Sequence, residues 1–242
     1  MRAGSVAALL ALATMVMPAA LAAHDIPTDI TVQAFVKPEG QSLRFLVRVP
    51  LEAMLDFQFP QWGQGFIDIP GSEPMLREAA IWWIANNVDI YEEGEQLADP
   101  QLVAVRVSLP SDRSFGSWEE ALANVSGPPL PGRPQLPWQQ ALLDVLFEYP
   151  IVSDTARFSI DPKLARLGLR TTTVVRFDPP DKPERIYQFS GDPGLVYLDP
   201  SFFQAVFRFV ELGFFHILDG IDHLLFLLCL VIPVRRVRTL VP

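Results

Sequence analysis

Residues 30–49 read ITVQAFVKPEGQSLRFLVRV, and this stretch decides the fold. In its second half every other residue from Leu43 to Val49 is apolar, while Arg44 and Arg48 occupy alternate positions. Side chains of a β-strand point alternately to its two faces, so this period of two predicts strands with one buried face. The intervening Glu39-Gly40-Gln41 supplies a turn, and the stretch is therefore predicted to form a β-hairpin.

Short runs of the same type recur further along the chain, separated by turn residues such as Asp192-Pro193-Gly194. The predicted strands are Val88–Tyr91, Leu102–Leu109, Arg157–Ile160, Thr171–Phe177, Ile186–Phe189 and Leu195–Leu198. Several short strands with turns between them are typical of an antiparallel β-sandwich. We therefore expect a mainly β, antiparallel, sandwich-like domain.

A few short helices are expected to interrupt the strands. They are Met75–Asn86, Ser117–Asn124 and Pro137–Glu148. Ser117 and Glu120 match the S-x-x-E capping box, and Pro137 suits a first helical turn. The Pro- and Gly-rich stretch 126–134 could be a linker, although an exposed loop within one domain is simpler. The adjacent Trp82 and Trp83 are expected to pack into the core.

The first residues are typical of a signal peptide. Arg2 is followed by an apolar stretch from Val6 to Val16 and by Ala20-Leu21-Ala22, which fits the small-x-small cleavage pattern. The apolar stretch is shorter than the roughly 20 residues that a membrane span needs, which disfavours the alternative of an uncleaved anchor. Under either alternative the domain that follows is exported.

His24 would become the mature N-terminus if cleavage fell one residue later than this pattern favours. Its amine and imidazole nitrogens could then chelate copper or nickel. The alternative is a terminus ordered only by packing or hydrogen bonds. His24 is therefore an additional candidate metal ligand.

The exported region carries no pattern typical of an enzyme. It contains no nucleophile motif, no Gly-rich phosphate loop and, apart from His24, no histidine. The formal net charge of −9 argues against a nucleic-acid surface. The one cysteine, Cys229, leaves no intramolecular disulfide to stabilise the fold. We expect no catalysis, no resident cofactor, and a domain that folds on its apolar core.

A second apolar run, LGFFHILDGIDHLLFLLCLVIPV, extends from Leu212 to Val234 and is long enough for a transmembrane helix. Three arginines follow it within four residues, so the positive-inside rule makes the C-terminus cytoplasmic. This topology predicts a bacterial-type inner (plasma) membrane protein with an extracytoplasmic, periplasmic domain. Its predicted parts are a signal peptide at 1–22, the exported β-domain at 23–200, an interfacial lead-in and transmembrane helix at 201–234, and a basic tail at 235–242.

Four ionisable residues interrupt this apolar run: His216, Asp219, Asp222 and His223. At about 100° per residue they project at roughly 0°, −60°, −120° and −20°, so all four lie on one third of the helix circumference. We call these four residues the ionisable stripe. An aspartate near mid-span costs about 2.5 to 3.5 kcal/mol, while each large apolar residue returns only about 0.3 to 0.6 kcal/mol. Such a helix needs further transmembrane helices as partners in the lipid.

Three explanations account for these charges. The span could begin near Asp222, which leaves His216 and Asp219 among the headgroups but makes the apolar run too short to cross. The carboxylates could serve assembly by hydrogen bonding to neighbouring helices. The stripe could also line an ion pathway, as intramembrane ionisable groups usually do. Imidazole with carboxylate suits nickel, cobalt or zinc, although one helix supplies only part of a coordination shell.

The spacing His216-x5-Asp222-His223 resembles the H-x5-D-H signature of the first helix in the HupE/UreJ family, the hydrogenase and urease accessory permeases related to nickel/cobalt transporters. The string FFHILDGIDHLLFLLCLVIP is similar to the branch with a large exported N-terminal domain, as are AHDIP, VQAFVKPEGQSLRFLVRVPLEA and WQQALLDVLFEYPI. The resemblance implies a polytopic membrane protein that moves Ni²⁺ or a similar ion. It also implies further helices, so we expect this chain to be truncated after its first transmembrane helix.

The stripe and the resemblance together predict the N-terminal portion of a permease for a divalent transition metal, nickel or cobalt. His216, Asp219, Asp222 and His223 would line its entry or binding position. The expected partners are membrane lipid, further transmembrane helices of this protein or of an oligomer, and the metal ion. The alternative is a membrane-anchored extracytoplasmic interaction module without transport activity.

Overall fold

The computed structural model describes residues 29–199, 210, 213–214 and 225–226, and within them the chain is mainly β, as predicted. The strands are β1 (Asp29–Glu39), β2 (Ser42–Pro50), β3 (Gln61–Trp62), β4 (Phe66–Ile67), β5 (Val88–Glu92), β6 (Glu95–Gln96), β7 (Gln101–Ser108), β8 (Leu142–Pro150), β9 (Phe158–Pro162), β10 (Arg170–Phe177), β11 (Arg185–Ser190) and β12 (Val196–Tyr197). The α-helices of at least one full turn are α1 (Ile69–Trp83) and α2 (Trp118–Val125).

The predicted hairpin is formed by β1 and β2, which pair antiparallel up to Glu39 opposite Ser42. Gly40 lies in the connecting turn with a φ of +62°, a left-handed conformation that glycine adopts without steric cost. The alternate apolar residues of β2 face the core and are at most 1 % exposed: Leu43, Phe45, Val47 and Val49. The period of two in the sequence therefore corresponds to the buried face of the strand.

The hairpin belongs to a six-stranded sheet with the order β11-β10-β1-β2-β8-β7. Its neighbouring strands run antiparallel except β1 and β10, which are parallel from Asp29 opposite Arg170 to Val36 opposite Phe177. The prediction of an antiparallel arrangement is therefore wrong for this one pair. The chain reaches β10 from β9, which lies in the other sheet, so no hairpin imposes an antiparallel direction on β10 beside β1.

A second sheet, with the order β12-β9-β5-β6, packs against the first through a shared apolar core. Phe158 of β9 meets Phe177 of β10 edge-on, with ring centroids 6.3 Å apart. Helix α1 adds Leu76 and Ala80 to the same core. The described part of the chain is therefore sandwich-like, with one main core between two sheets.

The predicted helix Pro137–Glu148 is wrong. Residues Trp138–Gln140 form only a 3₁₀ turn, and β8 follows from Leu142. Strand β8 lies between β2 and β7, and its Leu143, Val145 and Phe147 are completely buried at alternate positions. Pairing on both edges and burial of alternate residues outweigh the local helical pattern here.

The other two predicted helices are present with shifted ends. Helix α1 begins at Ile69, earlier than predicted, with a proline in its first turn. The Ser117 half of the predicted capping box of α2 is confirmed, because the Ser117 hydroxyl accepts a hydrogen bond from the Glu120 backbone N–H at 3.3 Å. Near the end of α1, Trp83 is buried but Trp82 is 56 % exposed, so the prediction of core packing is wrong for Trp82.

The stretch 126–134 forms the connection between α2 and β8 and contains neither helix nor strand. Leu130 within it packs against the main core, and Leu136 just after it is buried. The stretch is therefore a loop of the same domain, which agrees with the simpler of the two interpretations of the sequence.

Helix α2 covers part of the outer face of the six-stranded sheet, opposite the main core. A second, smaller apolar cluster fills the space beneath it: Phe35, Leu46, Phe115, Trp118, Ala121, Val125 and Leu146. Phe35 meets Trp118 edge-on with ring centroids 6.0 Å apart. This small core places the helix directly beside charged residues of β2 and β8.

Candidate functional site

The most deeply buried charges in the described chain are an arginine and an aspartate that face each other across β2 and β8. Arg48 and Asp144 are cross-strand partners on the outer face of the sheet. Arg48 Nε donates to Asp144 Oδ1 and Nη2 donates to Oδ2, both at 2.6 Å. Arg48 is 4 % exposed and Asp144 is 0 % exposed. Little water screens this bidentate pair, so the attraction is strong and so is the cost of losing either member.

The segment before α2 completes the surroundings of Arg48. Its Nη1 donates to the backbone oxygen of Asp112 at 3.1 Å, and its Nη2 donates to Asp112 Oδ1 at 2.8 Å. Nη2 also lies 3.1 Å from Ser114 Oγ, which accepts a hydrogen bond from it. The guanidinium covers the Phe115 ring at 4.2 Å from the centroid. Arg48 therefore fastens this segment to the sheet.

Asp144 gathers two donors besides Arg48. The Ser108 hydroxyl of β7 donates to Asp144 Oδ2 at 2.6 Å, and the Asn124 side-chain amide of α2 donates to the same oxygen at 2.8 Å. One carboxylate thus connects three strands and a helix. We call the set Arg48, Ser108, Asp112, Ser114, Asn124 and Asp144 the polar brace.

Two charges of the polar brace, those of Asp112 and Arg48, are stabilised in their ionised forms. Burial alone would raise the pKa of Asp112, but hydrogen bonds from Ser114 and Arg48 outweigh it, and the pKa lies below its ordinary value. Burial opposes the charge of Arg48, yet the hydrogen bond and attraction of Asp144 raise its pKa. Each of these two groups titrates further from neutral pH than usual, so Asp112 and Arg48 are poorly suited to proton transfer and serve the structure.

An open cleft of about 550 Å³ lies between the β1–β2 hairpin and α2. Lys37 and Arg44 line it beside Trp118, and Lys37 Nζ lies 5.4 Å from the centre of the Trp118 ring. Both cations are already paired, Lys37 with Asp178 at 2.6 Å and Arg44 with Glu148 at 3.0 Å. The cleft therefore offers little unpaired charge to a ligand.

A second open cleft, of about 540 Å³, lies beside the β5–β6 turn and is lined by Glu92, Glu93 and Glu95. The most buried of these carboxylates, Glu92, accepts hydrogen bonds from the backbone N–H groups of Val152 and Ser153 at 2.8–3.0 Å. Glu93 is paired with Arg157 at 2.6 Å. Two of the three carboxylates therefore hold the neighbouring loop in place.

The predicted metal ligands lie outside the described residues: His24, His216, Asp219, Asp222 and His223. Within the described ranges, no group of three or more His, Cys, Asp and Glu side chains is placed to hold a metal ion. No helix in the described part of the chain has the length and apolar character to cross a membrane. The metal site and the topology therefore stay predictions.

The sequence interpretation missed the polar brace. It placed Arg48 on the polar face of a strand, but it assigned Asp144 to a helix and so gave it no partner across the sheet. The sequence did contain a signal, because Leu143, Val145 and Phe147 are apolar residues at alternate positions. If this stretch is a strand, Asp144 lies on its polar face, as Arg48 does on β2.

Comparison with protein families finds one match in the C-terminal part of the chain. Residues 195–242 match the family model described as HupE / UreJ protein. The resemblance drawn from the H-x5-D-H spacing is therefore confirmed as a partial family match. The matched segment contains all four residues of the ionisable stripe.

Other comparisons add little. No curated protein matches the chain. Among solved structures, the crystal structure of collagen adhesin (CNA) from S. aureus aligns with 69 % of this chain and 49 % of the adhesin chain, at 6 % identity and a TM-score of 0.18. The chain thus spans about half the length of that adhesin, and a likeness at this level carries no argument about fold or function.

Proposed function

We propose that this chain is the N-terminal portion of a HupE/UreJ-like membrane permease for a divalent transition metal, with nickel or cobalt as the cargo. The observation that carries the proposal is the family match over residues 195–242, because it includes the segment in which the H-x5-D-H spacing occurs. The match also supports a membrane location. The signal-peptide pattern and the arginines that follow Val234 favour the extracytoplasmic side for the β-domain.

The stripe supplies the chemistry that the proposal needs. His216 and His223 offer imidazole nitrogens, while Asp219 and Asp222 offer carboxylate oxygens, and this mixture suits Ni²⁺ or Co²⁺ better than the all-oxygen preference of calcium or magnesium. Ligands on one helical face cannot surround an ion, so the remaining ligands come from further transmembrane helices. In this arrangement the stripe lines the path through which the metal enters.

The test is metal accumulation in cells that express the full-length gene, measured by mass spectrometry of washed cells in medium with micromolar nickel or cobalt. His223→Ala removes one imidazole of the stripe and should lower accumulation by about tenfold or more, on the scale seen for altered metal sites. Leu225→Ala is the matched control, because on the same projection Leu225 lies outside the third of the circumference that holds the stripe, about 160° from His223.

Membrane levels of the three proteins are compared by immunoblot, so that a loss of protein is not mistaken for a loss of transport. Normal accumulation with Leu225→Ala and low accumulation with His223→Ala support the permease. Accumulation above the empty-vector level that His223→Ala leaves unchanged refutes a role of the stripe in transport. Accumulation at the vector level for the unaltered gene favours the interaction module instead.

A further inference from the structure

The six-stranded and the four-stranded sheet together have four edge strands, and three of these are protected. Strands β6 and β12 contain only two residues each. Strand β7 carries a bulge at Val103, between Leu102 and Ala104, and packs beside α1. Short edges, bulges and covering helices are the devices by which proteins prevent sheet-to-sheet pairing. Strand β11, with six residues, has none of them.

The outward backbone of β11 can be identified from its pairing with β10. Gly191 N donates to Thr171 O at 2.8 Å, and these two residues extend the β10–β11 register by one position beyond Thr172 opposite Ser190. Hydrogen-bonded pairs alternate along an antiparallel ladder, so the backbones of Arg185, Tyr187 and Phe189 also bond to β10. The N–H and C=O groups of the intervening residues point away from the sheet: Ile186, Gln188 and Ser190.

None of these outward groups has a hydrogen-bond partner among the described residues. Ile186 is 61 % exposed, although it is a large apolar residue. The strand contains no lysine, proline or acidic residue, and its one charge, Arg185, is neutralised by Asp199 at 2.6 Å. As far as the described residues extend, the edge is therefore open, regular and free of repulsive charge.

The strand is also complementary to itself. If two copies pair antiparallel about an axis through Gln188, the outward groups of Ile186 and Ser190 face each other and exchange hydrogen bonds, as do the two Gln188 residues. In the same register Tyr187 lies opposite Phe189 of the second copy, on the inner face of the sheet, in a non-hydrogen-bonded pair where side chains approach closely. This one register therefore lets the outward backbone groups of the two strands bond to each other and also pairs their aromatic side chains.

We propose that β11 is a homodimer interface, through which two copies of this chain join their six-stranded sheets into one continuous sheet. The partner is a second copy because one symmetric register satisfies the outward backbone of both strands and also places Tyr187 of each copy opposite Phe189 of the other. This inference is independent of metal transport. It concerns only the exported domain.

Disulfide trapping tests the register directly. In a Cys229→Ala background of the full chain, Gln188→Cys places two cysteines on the proposed axis, with Cα atoms about 5.5 Å apart, which is within the range for a disulfide. Gln33→Cys is the matched control, since Gln33 is exposed on β1, away from the edge. Mild oxidation of membranes should give a disulfide-linked homodimer from Gln188→Cys and monomer from Gln33→Cys.

A second variant tests the interface without a cross-link. Gln188→Pro removes an N–H that points away from the sheet, so the domain keeps its ladder with β10, but the proline blocks an added strand. Light scattering of the detergent-extracted chain should show a dimer for the unaltered protein and a monomer for Gln188→Pro, with circular dichroism unchanged. Absence of the cross-link, equal cross-linking of Gln33→Cys, cross-linking to a different protein, or a dimer that survives Gln188→Pro would each overturn the proposal.

Discussion

Replacing Asp144 with alanine should leave the Arg48 guanidinium buried without its closest counter-ion. Removal of one partner from a buried ion pair costs about 3 to 5 kcal/mol. Asp112 still contacts Arg48 at 2.8 Å, which lowers the cost, while Ser108 and Asn124 lose an acceptor, which raises it. We expect the free energy of unfolding to fall by about 4 kcal/mol, a large share of the roughly 5 to 15 kcal/mol of a typical domain.

The assay is urea denaturation of the purified chain in detergent, followed by the fluorescence of its five tryptophans, one of which, Trp118, lies beside the polar brace. Glu148→Ala is the matched control, because Glu148 lies on the same strand and pairs with Arg44 across the same two strands, at 3.0 Å. Each of the two side chains in that pair is about one-third exposed. Loss of the pair should therefore lower the free energy of unfolding by less than about 1 kcal/mol.

The double change Arg48→Met with Asp144→Leu separates the loss of a charge from the loss of packing. Replacing both members of a buried pair by apolar residues of similar volume is often neutral or stabilising. The double variant should therefore recover most of the stability that Asp144→Ala loses. The reasoning is refuted if Asp144→Ala is no more damaging than Glu148→Ala, or if the double variant is less stable than Asp144→Ala.

Two further predictions concern acid stability and helix capping. Burial would raise the pKa values of Asp112 and Asp199, but hydrogen bonds in the folded chain outweigh it and lower both. The two ionised carboxylates therefore stabilise the folded state above the ordinary carboxyl pKa, and this contribution is lost as the pH falls below it. The urea concentration at the midpoint of unfolding should stay level from about pH 7 to 5 and drop below about pH 4. The drop should be smaller in Asp112→Asn, and an equal drop would contradict the contribution assigned to Asp112. Ser117→Ala should cost about 1 kcal/mol in the same titration, whereas Ser126→Ala, at the other end of α2, should cost less.

The hairpin could be predicted because its information is local. Alternate apolar residues in β2 specify the buried face, and Gly40 specifies the turn, so no distant part of the chain is needed. The parallel pairing of β1 with β10 could not be predicted in this way, because it joins residues about 140 positions apart and depends on the path through the second sheet.

Strand β8 shows how a local pattern can mislead. The stretch around Asp144 is compatible with a helix when it is considered alone, and only pairing with β2 and β7 makes it a strand. The polar brace was missed for the same reason, because its members come from five separate segments. Conversely, the ionisable stripe could be proposed from spacing alone, since H-x5-D-H is contained within one short segment, and the proposal assigns the remaining ligands to other helices.

The central claim, that the ionisable stripe serves metal transport, is tested most directly by the initial rate of radioactive nickel entry into cells that express the full-length gene. The proposal predicts saturable entry that exceeds the vector control, that is lost in His223→Ala and that is retained in Leu225→Ala at equal membrane levels. Entry at the same rate in His223→Ala as in the unaltered protein would contradict it.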